Sequence, residues 1–163
     1  IGCAVVFDIA RTIENPKHNI WFVFSTQEEV GCRGAKTAAN RIAPDCALVF
    51  DVTGTGDIEG SGTMACKLGG GAAVKVKDSS VICDQGFVSL LMDLAKERKI
   101  AAQLEILEGG GTDTCSMQLS GADVMATCVS IPTRYIHSPA EMVAVSDVES
   151  AARLMAAAAA RVL

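Results

Sequence analysis

Two stretches of this chain, NIWFVFS at 19–25 and CALVFDVT at 46–53, are short, continuous apolar runs rich in branched and aromatic residues. A strand with no polar side has to be covered on both faces, so runs of this kind call for a sheet sandwiched between helices. The intervening segments can supply that cover. GCAVVFDIARTIEN sets Val5, Val6, Ile9 and Ile13 at helical spacing before Pro16, and AKTAANRIA follows Gly31 and Gly34 and stops at Pro44 and Asp45. GFVSLLMDLAKERK is an amphipathic helix between AAVKVKD, which alternates like a half-buried strand, and AQLEIL, a further strand. VMATCVSIP adds another strand, and SDVESAARLMAAAAARVL a last helix, with Ser146 as its expected cap and Glu149 at the capping-box position. Residues 54–71, rich in Gly, Ser and Thr, read as a long excursion at the edge of the sheet.

This alternation predicts a three-layer α/β sandwich on a mainly parallel mixed sheet. A length of 163 residues is enough for one domain with a real core, and with half the residues apolar disorder is excluded. The net charge of −5 argues against nucleic acid or an anionic membrane surface as partner. The seven cysteines are odd in number, scattered and never spaced C-x-x-C, which reads as reduced thiols in a cytoplasmic protein rather than a zinc-thiolate site. No apolar run approaches the roughly 20 residues needed to span a bilayer.

In open α/β sheets ligands gather beyond the carboxyl ends of the strands. Three expected strand exits carry metal-capable side chains: IWFVFST runs into Glu28 and Glu29, ALVF runs into Asp51, and VMATCVSIP is followed by Arg134, Tyr135 and His137. Each has a plainer reading. Asp51 could cap a turn, His137 could be a satisfied polar residue, and an adjacent glutamate pair is commonly a solvated face. Together they form the donor set suited to a hard or borderline cation. Two adjacent carboxylates point in different directions, so one can hold a metal while the other takes a proton from activated water.

Four motifs carry a resemblance: TQEEVGCRGA at 26–35, VFDVT at 49–53, GGGTD at 109–113 and RYIHS at 134–138. In order and spacing they resemble the glutamyl aminopeptidase and tetrahedral (TET) aminopeptidase family of two-metal exopeptidases, some once labelled cellulases or endoglucanases. The resemblance implies a zinc-exopeptidase-like fold and release of N-terminal amino acids from peptides by metal-activated water. It also implies Glu28 as general base, Glu29 and His137 on one metal ion and Asp51 on the other, with zinc or cobalt as the metal and a homo-oligomer as the complete protein. Arg134 is then a candidate for binding a substrate carboxylate, or a structural ion pair. Asp113 is a candidate pocket residue, or a cap for the helix that follows it. Cys32 and Cys115 lie beside motifs without a histidine partner that would make either a nucleophile.

The family pattern further requires a histidine from an early strand and an aspartate bridging the two metals, placed just before the helix that opens here as IGCAV. It also inserts a β-rich assembly domain, which no segment here matches. The expectation is therefore that residues 1–163 are the carboxyl-terminal part of a catalytic domain, incomplete on its amino-terminal side and poorly active or inactive alone. The competing readings are an amidase or deacylase of the same two-metal group and a non-catalytic α/β binding or assembly module. A glycosidase finds little support, because adjacent acids cannot flank a glycosidic bond from opposite sides.

Overall fold

The computed structural model describes residues 1–121 and 124–161. Among these residues, five α-helices and five strands follow in the order α1 (Gly2–Thr12), α2 (Arg33–Ile42), β1 (Cys46–Gly54), β2 (Ala72–Lys77), α3 (Gln85–Glu97), β3 (Ala102–Ile106), α4 (Thr114–Gln118), β4 (Met125–Arg134), β5 (Met142–Val143) and α5 (Val145–Arg161). The sheet runs β1-β4-β2-β3, with the two-residue β5 on β4. Ladders β1/β4 and β2/β3 are parallel, while β2/β4 and β4/β5 are antiparallel. This is the expected mixed, mostly parallel α/β sheet.

Side chains alternate across a strand, so each ladder register fixes two faces. Val74, Val129 and Ile131 point with Leu48, Phe50 and Val52 into the main core, against Val5 and Ile9 of α1, Val88, Leu91 and Leu94 of α3, and Ala151, Leu154 and Met155 of α5. Each fully buried leucine there contributes roughly 1.5–3 kcal/mol of transfer free energy. Asp51, Lys75, Glu105, Cys128 and Ser130 occupy the opposite face, where α4 packs on β1 and β4 and α2 packs on α4. No helix among the described residues is long and apolar enough to cross a membrane.

Several local expectations are corrected. Residues 19–25 form no strand; Trp21 is 68% exposed and Phe24 50%. The physical reason is the lack of a ladder partner. β1 is bonded to β4 along one edge, and a cavity of about 570 Å³ separates its other edge from residues 18–25. Backbone groups that find no neighbouring strand stay with solvent, whatever the side chains prefer. AAVKVKD is not half-buried, since both layers cover β2 and Lys75 is completely enclosed.

The last helix begins at Val145, which puts Ser146 inside the first turn rather than at the cap. The working residue there is Asp147, fully buried and accepting the N–H groups of Gly69 (2.7 Å) and Gly71 (2.8 Å). It ties the end of the 54–71 excursion to α5. The expected end of this helix, residues 162–163, lies outside the described residues.

Candidate metal and acid site

Glu28 and Glu29 stand on a single 3₁₀ turn, Glu28–Val30, rather than at a strand exit. The turn is held at both ends. Gln27 before it has φ 59° and Gly31 after it φ 112°, both left-handed, and the Cys32 N–H donates to the Glu28 carbonyl at 2.9 Å. Gly34 then passes Thr26 so closely that an added Cβ would lie 2.4 Å from the Thr26 nitrogen, and the Gly34 N–H donates to the Thr26 carbonyl at 2.9 Å. Only glycine permits that approach, which folds the start of α2 back over the glutamates.

Asp51 is the sixth residue of β1, so it sits one layer below the strand's end rather than at the exit. Its Oδ1 accepts the Val52 N–H at 2.8 Å. β4 ends at Arg134, and the chain leaves through two further left-handed residues, Tyr135 (φ 56°) and His137 (φ 60°). Non-glycine residues in this conformation each carry strain, and Gln27, Cys32, Tyr135 and His137 all flank the same site.

These turns bring together most of the side chains singled out from sequence. His137 Nε2 lies 3.2 Å from Glu29 Oε1, both exposed. Glu28, Cys32 and Asp113 place one potential donor atom each within 4.8 Å of one another. Asp51 lies near enough to feel the charges of both Glu28 and Asp113. Arg134 points elsewhere, forming a two-pronged pair with Asp57 of the 54–71 excursion at 2.8 and 3.3 Å. That pairing holds Asp57 far below the usual carboxylate range. Asp113 precedes α4 but makes no side-chain cap; its Oδ2 accepts the Ser25 hydroxyl at 2.5 Å instead.

The electrostatics are those of crowded acids. Burial, reinforced by the charges of Glu29 and Asp113, raises the pKa of Glu28 above its ordinary value. Burial likewise pushes Asp51 up to about 6. Cys32, missed as a site residue from sequence, is directed at Glu28 Oε1 (3.7 Å) and pushed up to about 12 by burial and the surrounding acids, so it is a thiol and not a nucleophilic thiolate. Its signal was its position inside the TQEEVGCRGA motif, just after the glutamates. The buried Oδ1 of Asp113 has no hydrogen-bond partner. Carboxylates with one imidazole, an orphaned buried oxygen and raised acid pKa values make a donor set that could hold a divalent cation.

The chain also resembles known proteins over most of its length. The family model for M42 glutamyl aminopeptidases matches residues 1–154. A curated protein of Acetivibrio thermocellus is 49% identical over 154 residues, covering 94% of this chain and 47% of its own length. The solved structure of an aminopeptidase from the archaeon Desulfurococcus kamchatkensis superposes with a TM-score of 0.94 at 35% identity, over 98% of this chain and 46% of that one. The Pyrococcus horikoshii TET1 peptidase, described as assembling into a tetrahedron or a large octahedral shell, gives 0.69 at 30% identity over 85% and 40%. The chain spans about half the length of these relatives.

Proposed function

Since the chain belongs to the M42 glutamyl aminopeptidase family, we propose that it supplies the carboxyl-terminal half of the catalytic domain of a metal-dependent aminopeptidase. The observation that carries this reading is the convergence of Glu28, Glu29, Asp51 and His137 from three separate segments onto one acidic site. Glu29 and His137 would hold one divalent ion and Asp51 the other, zinc or cobalt by chemical type. Such ions, when bound, supply the positive charge that activates water and the peptide carbonyl.

This chain's own residues do the rest. Glu28, partly buried and with raised proton affinity, accepts the proton of the attacking water and returns it to the leaving amine. The strained turns at Gln27 and His137 hold the acid and the imidazole in place before substrate arrives. The Arg134–Asp57 pair fixes the 54–71 excursion beside the site, where it borders the space for the substrate side chain. Substrates are peptides with a free amino terminus, the complete protein is a homo-oligomer like its TET relatives, and seven free thiols suit a cytoplasmic setting.

Two cations held roughly 3.5–4 Å apart need a shared anion to offset their repulsion, and in the assignment above no residue is shared between the two ions. The 163-residue chain should therefore bind zinc or cobalt at less than two equivalents and hydrolyse amino-acid amides far more slowly than a protein of its relatives' length. Two tightly bound ions with normal turnover in the isolated chain would overturn the reading.

A further inference from the structure

Beneath the acid site lies a second charged cluster that the proposed chemistry does not use. Lys75 of β2 pairs with Glu105 of β3, and its Nζ is 3.7 Å from Oδ2 of Asp78; all three side chains are completely buried. Charges enclosed in this way cost several kcal/mol each before pairing, and apolar residues of similar volume often serve stability as well. The connections of the cluster point to a different role.

One arm runs across the sheet. The second oxygen of Glu105 accepts the hydroxyl of Ser130 at 2.6 Å, and Ser130 stands directly opposite Asp51 in the parallel β1/β4 register. The other arm runs up to a loop. Asp78 Oδ1 accepts the N–H groups of Ser80 (2.8 Å) and Val81 (2.9 Å) and the Ser80 hydroxyl (2.8 Å), shaping the turn that closes β2. From that turn the Ser79 N–H donates to the Gly110 carbonyl at 3.2 Å, and the Ser79 hydroxyl donates to the same oxygen. Gly110 and Gly111 lead directly into Thr112 and Asp113. Oδ2 of Asp78 has no hydrogen-bond partner and faces Lys75 alone. Lys75 is thus the joint between the strand position beside Asp51 and the loop that delivers Asp113.

We propose that Lys75 is a positioning residue that sets the spacing of the Asp51 and Asp113 sides of the acid site, acting through Glu105 and Ser130 on one side and through the Asp78 turn on the other. It touches neither substrate nor reacting atoms. The placement rests on geometry alone, and only its kinetic consequence rests on the aminopeptidase reading.

Hydrogen exchange on the 163-residue chain tests it, with the Val52 amide, which bonds the Asp51 carboxylate, reporting one arm and the Ser79 amide, which bonds the Gly110 carbonyl, reporting the other. Lys75→Met/Glu105→Met replaces the charged pair with apolar side chains. It should keep its cooperative unfolding transition yet speed exchange about tenfold at both reporters, the scale of coupling within one network. Asp78→Asn should speed only Ser79, and Ser130→Ala only Val52. In a protein of the relatives' length the double variant should lower kcat about tenfold with KM little changed, as expected when reacting groups are misplaced but binding is kept. Unchanged exchange at both reporters in a folded double variant overturns the proposal. If the double variant does not fold, the two single-arm variants decide, and any result other than their separate effects overturns it. A peptidase reading that failed would remove the kinetic effect and leave the exchange pattern standing.

Discussion

Two short, mainly apolar segments meet opposite fates in this molecule. ALVFDVT in β1 lies against β4 in an unbroken parallel ladder from Cys46 to Gly54, whereas IWFVFS at 20–25 lies across a cavity from β1's other edge and has no strand partner among the described residues. Apolar content specifies burial, but a strand exists only when a neighbour takes its backbone groups. The same contrast appears among charges. Lys75 on β2 and Glu105 on the edge strand β3 are closed off from solvent and paired with each other, while Glu29 and His137 meet at the rim in water. Enclosed groups are over-determined by their partners and solvated ones are not.

The largest effect should come from breaking the interior pair on one side only. Lys75→Met leaves Glu105 and Asp78 buried without their cation, a loss of about 3–5 kcal/mol; Lys75→Met/Glu105→Met removes the Glu105 share and should restore part of it, with Asp78 still lacking its cation. Urea unfolding of the two variants measures this. Equal stability in both would mean that the pair is not the enclosed unit described above.

Asp51 should give the next largest effect, through pH. Its folded-state pKa of about 6 lies above the ordinary carboxylate value of 3.8, so the native chain holds this proton more tightly than the unfolded chain. Stability from this group is therefore greatest below pH 4, falls as pH rises towards 6, and is level above that, a total on the order of 3 kcal/mol. Unfolding of the metal-free chain across this window, with Asp51→Asn as control, should show a slope that the substitution removes. Added zinc favours the ionised carboxylate and should flatten it. A slope unchanged in Asp51→Asn would assign the effect to another acid.

What was legible in sequence follows the same division. The sheet, its mixed but mostly parallel character and the helices came from periodicity, because β1, β2, β3 and β4 have the neighbours their patterns assume. Glu28, Glu29, Asp51 and His137 came from motif order, and the fold does bring them into one neighbourhood. The fine placement did not come through. Asp51 lies within its strand, the glutamates lie on a 3₁₀ turn, and Asp113 serves Ser25 instead of a helix end. Lys75 was misread because strand alternation cannot distinguish a lysine facing water from one facing Glu105 on the next strand. The cue lay in the pair of sequences AAVKVKD and AQLEIL, in which Lys75 and Glu105 each sit between apolar neighbours. Cross-strand partners become visible only once the register is known.

Trp21 should give the smallest effect and the sharpest test of the opening contrast. A tryptophan is normally a large contributor to a core, and Leu91, fully buried between α3 and the sheet, should cost about 2–5 kcal/mol on truncation to alanine. Trp21 is 68% exposed on a segment with no ladder, so Trp21→Ala should change stability by no more than about 0.5 kcal/mol. Its fluorescence gives a second reading without mutation: as the chain's single tryptophan it should emit near the wavelength of a solvated indole in the folded state and shift little on unfolding. A loss comparable to that of Leu91→Ala, with blue-shifted native emission, would mean that residues 20–25 pack against β1 in solution. Residues 20–25 would then be a core element like ALVFDVT, and the difference between the two segments would lie in hydrogen bonding alone.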